Sequence, residues 1–395
     1  MEKFDSMNDR SFRSEVRSFF KDSVPDHIRQ RTMTGLPLDR PMLEEWHKIV
    51  LARGWAAPSW PAEYGGTGWT LRQQYIFEQE RNHAFAPLGV TFNFDMVGPL
   101  LISFGTPEQK RRLLPRALSA EDFWCQGFSE PGAGSDLAAL NCRADRRGDR
   151  FIINGSKLWQ TVAFDADMMF GLFRTSHEKR KQQGITLLLV DMRAKGLSLS
   201  PIQLIDGVER VAACTFDDVE VPVENMVGEE GSAWSIAKHL LTIERLGIAE
   251  VAASKTALTR LKRLATRETI GGVPLIEDPY LLAELAALEA ELDALEATEY
   301  RFLFDPSSNG ELGAEASILK IAGTLIRQRL TELTMRVAGP AASSQESLTL
   351  EGALDDPGTY PAWATRHYLN FRKISIFGGS NEIQKNIVAK AVLGL

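Results

Sequence analysis

Through residue 120 the apolar positions recur at the helical period. Phe12, Val16, Phe19 and Phe20 follow one another at spacings of four, three and one, the stripe of an amphipathic helix that Pro25 ends. A second stripe over 42–52 stops at Gly54, and the segment 54–69 is so rich in Gly, Pro and aromatic residues that it reads as a structured loop. Helical patterns return at 70–83, 94–104 and 107–119, the last with Thr106 as N-cap and Pro107 at its first position. From residue 122 the pattern shortens into β-prone runs at 151–155, 167–175, 185–192, 197–202 and 213–222, bounded by turn signals at even intervals. These predict a compact, mostly antiparallel β domain.

After Gly231 the helical period resumes. Leu281, Leu285, Leu288, Leu292 and Leu295 alternate spacings of four and three, the signature of a helix packed lengthwise against others in a bundle. The stretch 338–363 reads as an irregular excursion before the last helix. The expected fold class is therefore α+β, with an N-terminal helical domain over 1–121, a middle β barrel or sandwich over 122–229 and a C-terminal helical bundle over 230–395.

Composition narrows the function classes. Hydrophobic residues make up 44% and charged ones 25% of the 395 residues, which excludes a largely disordered chain. The net charge of −7 gives no support for a nucleic-acid partner. The 3 cysteines are irregularly spaced, so neither a disulfide framework nor a zinc site is expected, and His83 and His239 have no second ligand at metal spacing. The charged start MEKFDSMNDR is unlike a signal peptide and no apolar run is long enough for a membrane span, so a cytoplasmic location is expected.

Candidate chemistry gathers in two places. Gln126–Asp136 reads QGFSEPGAGSD: Gly132 and Gly134 permit positive φ and close approach, Pro131 stiffens the turn, and Ser129 and Ser135 add hydroxyls, so the loop could form a nest of N–H groups for an anion. Downstream, NGSKLWQT at 154–161 follows a strand and sets the flat face of Trp159 two residues before the hydroxyl of Thr161, a pairing that suits a planar redox ring.

Together these segments resemble the flavin-binding signature of the acyl-CoA dehydrogenase family, and GGSNEIQKNIVAKAVLGL at 378–395 is similar to that family's closing helix. The likeness spans the whole chain and leans toward the large subunits of pimeloyl-CoA dehydrogenases. It implies an α domain, a β domain and a C-terminal four-helix bundle enclosing FAD. It further implies that the backbone of Phe128 and the Ser129 hydroxyl touch the flavin, with Gln126, Gly134, Trp159 and Thr161 on the same wall. Ser135 would meet pyrophosphate and substrate. Arg267, in ATRETIGG, matches an Arg that reaches a neighbouring subunit's FAD, where its fork suits phosphate oxygens. Gly379, Ser380 and Glu382 open the closing helix, whose free N–H groups are placed to hold phosphate or ribose.

The reaction that the resemblance implies removes a proton α to a thioester and a hydride from the β carbon. Many members take their base from a Tyr-Glu-Gly-Thr segment, but here Phe377-Gly378-Gly379-Ser380 stands in its place. Other members use a Glu-Arg pair in the first helix after the β domain, and this chain has LLTIERLGIAE at 240–250. Glu244 is the candidate base. Its helical neighbours Leu240, Leu241, Gly247 and Ile248 make an apolar stripe without a cation at salt-bridge spacing, an environment that raises a carboxylate's pKa. Arg245 is the companion candidate for substrate binding. Implied partners are an acyl-CoA substrate, an electron-transfer flavoprotein, and either three copies of this chain or a related small subunit in an α₂β₂ assembly. The family's Gly-Gly-x-Gly loop is reduced to Val337-Ala338-Gly339-Pro340, which points to a partner's help with the cofactor. An oxygen-using acyl-CoA oxidase and a subunit that only completes another chain's FAD site remain the alternatives.

Overall fold

The structure, a computed structural model, describes residues 6–34, 37–240, 249–304, 313–343 and 360–395. Six helices open the chain: α1 (Met7–Ser23), α2 (Asp26–Thr34), α3 (Arg40–Ala52), α4 (Leu71–His83), α5 (Gly98–Phe104) and α6 (Pro107–Leu118). Their starts are written in the sequence. Ser6, Thr70 and Thr106 each form a reciprocal capping box with the residue three positions on, and Asp39 caps α3. Pro25 does end α1, but α2 begins at the next residue, because a proline costs nothing in front of a helix whose first N–H groups are unpaired anyway. The pattern expected over 94–104 divides in two: a π-helical turn, Phe92–Val97, precedes α5. Gly98 at the junction is required, since a Cβ there would lie 1.8 Å from the Trp60 indole, whose N–H donates to the Phe94 carbonyl at 2.8 Å.

The middle region forms an eight-stranded sheet: β1 (Trp124–Gly127), β2 (Arg143–Arg147), β3 (Arg150–Thr161), β4 (Met168–Arg174), β5 (Ile185–Asp191), β6 (Leu197–Ile202), β7 (Val211–Pro222) and β8 (Met226–Val227). Its order is β6-β7-β3-β2-β4-β5-β8, antiparallel apart from β1, which runs parallel beside β4, and a single parallel contact of β2 with β4. Strands β4 and β5 are apolar on both faces because both faces are covered. Phe170, Leu172, Leu187 and Leu189 join the core of the N-terminal helices, while Met169, Phe173, Leu188 and Val190 fill a second core within the sheet.

The C-terminal region is helical: Val251–Ala265, Pro279–Phe304, Glu315–Ala338, Tyr360–Asn370 and Asn381–Val388. Leu281, Leu285, Leu288, Leu292 and Leu295 are all buried, packed with Leu258, Leu261, Leu319, Ile326 and Leu330 in one core, as their spacing predicts. Within the expected excursion at 338–363, a 3₁₀ turn over Gly339–Ser343 and the start of the helix at Tyr360 are described; 344–359 lie outside the described residues. No helix among the described residues is long and apolar enough to cross a membrane.

Candidate active site

The two candidate segments meet through a buried ion pair that the sequence reading did not single out. Lys157, fully buried on β3, donates to Glu130 at 2.7 Å and also to the carbonyls of Phe128 and Leu172. The Glu130 carboxylate in turn accepts the N–H groups of Asn141 and Cys142 at 2.6 and 2.9 Å. Burial pulls the Lys157 pKa down from its ordinary value, with the Glu130 charge opposing. Backbone bonds add to the seam, since the Leu158 N–H donates to the Ser129 carbonyl at 2.9 Å. Arg174 fastens the far end of the loop by donating to the carbonyls of Ala138 and Leu140. The signal for these residues was present as a Lys, a Glu and an Arg inside otherwise apolar runs, but their partners are far away in sequence.

Contrary to the expectation that NGSKLWQT follows a strand, it lies within β3, the strand's register slipping at Gly155 and again between Lys157 and Gln160. A bulge re-aims side chains, and here it does so at Trp159. That residue has a φ of +71°, a left-handed conformation seldom adopted by a bulky side chain, and its indole stays 54% exposed. Thr161 closes the strand, also exposed.

The Gln126–Asp136 loop is not shaped as expected either. No residue in it has positive φ, so Gly132 and Gly134 do not turn the chain through the left-handed region and no alternating nest forms. The turn is closed instead by reciprocal backbone bonds between Glu130 and Ala133. What the two glycines supply is room, since a Cβ at either would meet nothing within 4 Å. Phe128 is buried with its ring edge-on to Phe170, and Gln126, half-buried, points its amide toward the Met96 sulfur of the π-helical turn. Ser129 is half-buried while Gly134 and Ser135 are exposed. Among the described residues the hydroxyls of Ser129, Ser135 and Thr161 and the Trp159 indole N–H have no hydrogen-bond partner. An open aromatic face, unspent hydroxyls and a side-chain-free strip of loop suit a flat, polar-edged ring with a phosphate tail.

At the other end of the chain, Ser380 caps the helix Asn381–Val388 by accepting the Ile383 N–H. Glu382 in the first turn is exposed, and backbone N–H and Ser380 hydrogen bonds hold its pKa below the usual value. Gly379, at φ +81°, has no space for a Cβ because the buried Gln384 amide sits 2.5 Å away, donating to the carbonyls of Gly378 and Gly379. Arg267 is exposed beside a two-stranded hairpin, Thr269–Ile270 with Val273–Pro274, whose Ile270 is 72% exposed. Glu244 and Arg245 lie outside the described residues. Thus Gln126, Phe128, Ser129, Trp159 and Thr161 are brought to one seam, with Gly134 and Ser135 on the same loop, while Arg267 and the Gly379–Glu382 turn belong to the helical region.

Comparison with known proteins bears on this arrangement. The chain matches the acyl-CoA dehydrogenase N-terminal domain over residues 6–121, the middle domain over 125–219 and the C-terminal domain over 231–393. It is 34% identical to acyl-CoA dehydrogenase IpdE1 of Mycobacterium tuberculosis, over 97% of each chain, and 28% identical to the human mitochondrial short-chain specific acyl-CoA dehydrogenase, over 84% of this chain and 78% of that one. Among solved structures, the Tcur3481–Tcur3483 steroid ACAD superposes with a TM-score of 0.85 at 30% identity, covering 100% of this chain and 99% of that one. The ChsE4–ChsE5 complex from Mycobacterium tuberculosis does so at 0.81 and 30%, covering 99% and 98%. The chain belongs to the acyl-CoA dehydrogenase family, flavin-dependent oxidoreductases of acyl-CoA thioesters.

Proposed function

We propose that this chain is an FAD-dependent acyl-CoA dehydrogenase that converts a saturated acyl-CoA to the trans-2-enoyl-CoA, with Glu244 as the base. The observation that supports it most is the seam at Lys157–Glu130, which aligns the Ser129 loop with an exposed Trp159 held in a left-handed bulge. Gln126, Phe128, Ser129, Gly134, Ser135, Trp159 and Thr161 would hold the isoalloxazine and the start of the pyrophosphate; Gly379, Ser380 and Glu382 would meet the ribose and phosphate. FAD, when bound, supplies the acceptor for the hydride that leaves the β carbon. Glu244 takes the α proton, a role that the apolar sequence positions three and four residues to either side of it suit. Ser135 and Arg245 orient the thioester, and the electrons leave to an electron-transfer flavoprotein.

A mixed assembly is the favoured quaternary reading. Two solved relatives are named as pairs of different chains. Arg267 stands exposed beside a hairpin, suited to reach another subunit's cofactor, and Gly339-Pro340 replaces the glycine loop that would complete the site within a homotetramer. In this reading the acyl group is a dicarboxylyl or polycyclic one rather than a short alkyl chain. The test is Glu244→Gln in the assembled enzyme. It should keep yellow flavin and lose anaerobic bleaching by acyl-CoA; unchanged bleaching would remove Glu244 from its role.

A further inference from the structure

The helical bundle contains a cavity of about 40 Å³ whose lining, among the described residues, includes none of the expected site residues. Ala257, Arg260, Arg327, Thr331, Thr334, Trp363 and His367 surround it. The hydroxyls are spent inward: Thr331 donates to the Gln328 carbonyl and Thr334 to the Leu330 carbonyl. The Arg327 guanidinium is different. Its side chain is only 13% exposed, yet among the described residues its Nε and Nη1 hydrogens have no hydrogen-bond acceptor, and its ion pair with Glu250, whose Oε2 likewise lacks a hydrogen-bond partner, is a loose one at 3.5 Å. Phe371 lies under its face at 4.7 Å, and Arg260 stacks over Trp363 at 4.3 Å. Two guanidinium groups stand around one small cavity, and the unsatisfied donors of Arg327, loosely paired with a carboxylate, cost free energy that a further hydrogen-bonding acceptor would offset.

The position of the cavity connects it to the proposed chemistry. Glu250, the partner of Arg327, immediately precedes the helix Val251–Ala265 and follows the segment bearing Glu244 by a few residues. One turn before Arg327, Gly323 packs so closely on Ala249 that a Cβ would lie 2.5 Å from its carbonyl. Gln328 and Arg372, next to it, bond across to one another's backbone and fix the 3₁₀ turn Phe371–Ser375 that leads into Phe377-Gly378. On this side the cavity's wall leads, through Gln328 and Arg372, to the Phe377-Gly378 stretch that stands where many members of the family carry their base. On the side toward the N-terminal helices, the charges of Glu78, Asp95 and Glu250 keep the pKa of buried Arg81 raised against the effect of burial, so the charged groups continue toward the π-helical turn beside Gln126.

We propose that this cavity is a carboxylate site, with Arg327 as its principal ligand, and that its occupant is the distal carboxylate of the acyl group. The assignment rests on the acyl-CoA dehydrogenase reading above. A carboxylate fits within the cavity, which has room for up to about three waters, and has the forked geometry a guanidinium prefers.

The test compares thioesters of equal length, adipoyl- with hexanoyl-CoA and suberyl- with octanoyl-CoA, in the assembled enzyme and in Arg327→Leu, Arg327→Lys and Ala257→Leu, the last filling the cavity without removing charge. At one chain length the unsubstituted enzyme should prefer the dicarboxylyl substrate by about tenfold or more in kcat/KM. Arg327→Leu and Ala257→Leu should abolish that preference, lowering the dicarboxylyl value roughly 10- to 100-fold, in line with charge-assisted hydrogen bonds, and Arg327→Lys should keep part of it. No preference at any length, or one that survives both substitutions, overturns the proposal. Free adipate that raises the melting temperature of the parent but not of Arg327→Leu, with no thioester preference, overturns the acyl-terminus assignment and leaves a free-anion site. Failure of every thioester to bleach the flavin would instead count against the dehydrogenase reading itself.

Discussion

Replacing Lys157 with methionine keeps most of the side chain's volume and removes one charge from the seam between the loop and β3. The consequence follows from the partners. The Nζ group serves Glu130 at 2.7 Å, the Phe128 carbonyl at 3.2 Å and the Leu172 carbonyl, all with Lys157 fully buried. Without it two carbonyls lose a donor, and Glu130 keeps only the N–H groups of Asn141 and Cys142 for its buried charge. Breaking a buried pair from one side costs roughly 3–5 kcal/mol, which for a folding unit of this size lowers the melting temperature by about 10 °C. Glu130→Gln alone should also destabilise, since it leaves the ammonium buried. The double variant should recover much of the loss, a coupling of at least about 1.5 kcal/mol. Thermal melts of the four proteins without added flavin measure this. A shift of under about 2 °C in Lys157→Met, or additive effects in the double variant, would show that the pair does not hold the seam and that the alignment of Ser129 with Trp159 has another cause.

Trp159→Gly should separate stability from function, because it relieves a left-handed residue worth about 1–2 kcal/mol while deleting the proposed flavin-facing ring; the apoprotein melt should stay level or rise as retained flavin per chain falls, and an apoprotein that instead loses stability would make Trp159 a packing residue. Glu299 offers a pH test. Burial, followed by the charges of Glu296 and Glu78, pushes its carboxyl up to about 8. A carboxyl raised from the ordinary 4.5 contributes stability that is fully present below that value and lost as pH climbs toward 8. Glu299→Gln should therefore flatten the melting temperature between those pH values and gain on the order of 3 kcal/mol at the alkaline end; a parallel pH profile in parent and variant would contradict the assigned titration.

How much of this was legible in the sequence depends on the range of the interaction concerned. Local signals were read well: the Thr106–Pro107 helix start and the leucine stripe from Leu281 to Leu295 are where their spacing puts them. The losses occur where tertiary contacts overrule the local pattern. Two register slips in β3 interrupted the alternation and hid the fact that 151–155 and the Trp159 motif are one strand. Strand β1 is four residues long and is stabilised by its parallel neighbour β4, and β2 is Arg143–Arg147, whose polar sequence gives no strand signal. Gly132 and Gly134 suggested a left-handed nest; the fold uses them as open space and puts its positive φ at Trp159, a residue type from which no sequence rule would predict it. The ion pair of Lys157 with Glu130 spans 27 positions, beyond any periodicity.

The central claim is that this chain builds a flavin wall and uses it to desaturate acyl-CoA, and it is tested most directly by anaerobic titration of the purified protein, alone and with the related subunit expressed beside it, while the visible flavin absorbance is recorded. The account predicts yellow protein whose absorbance falls in proportion to added acyl-CoA, with formation of the 2-enoyl thioester. Colourless protein in both preparations, or yellow protein that no acyl-CoA bleaches, would contradict it.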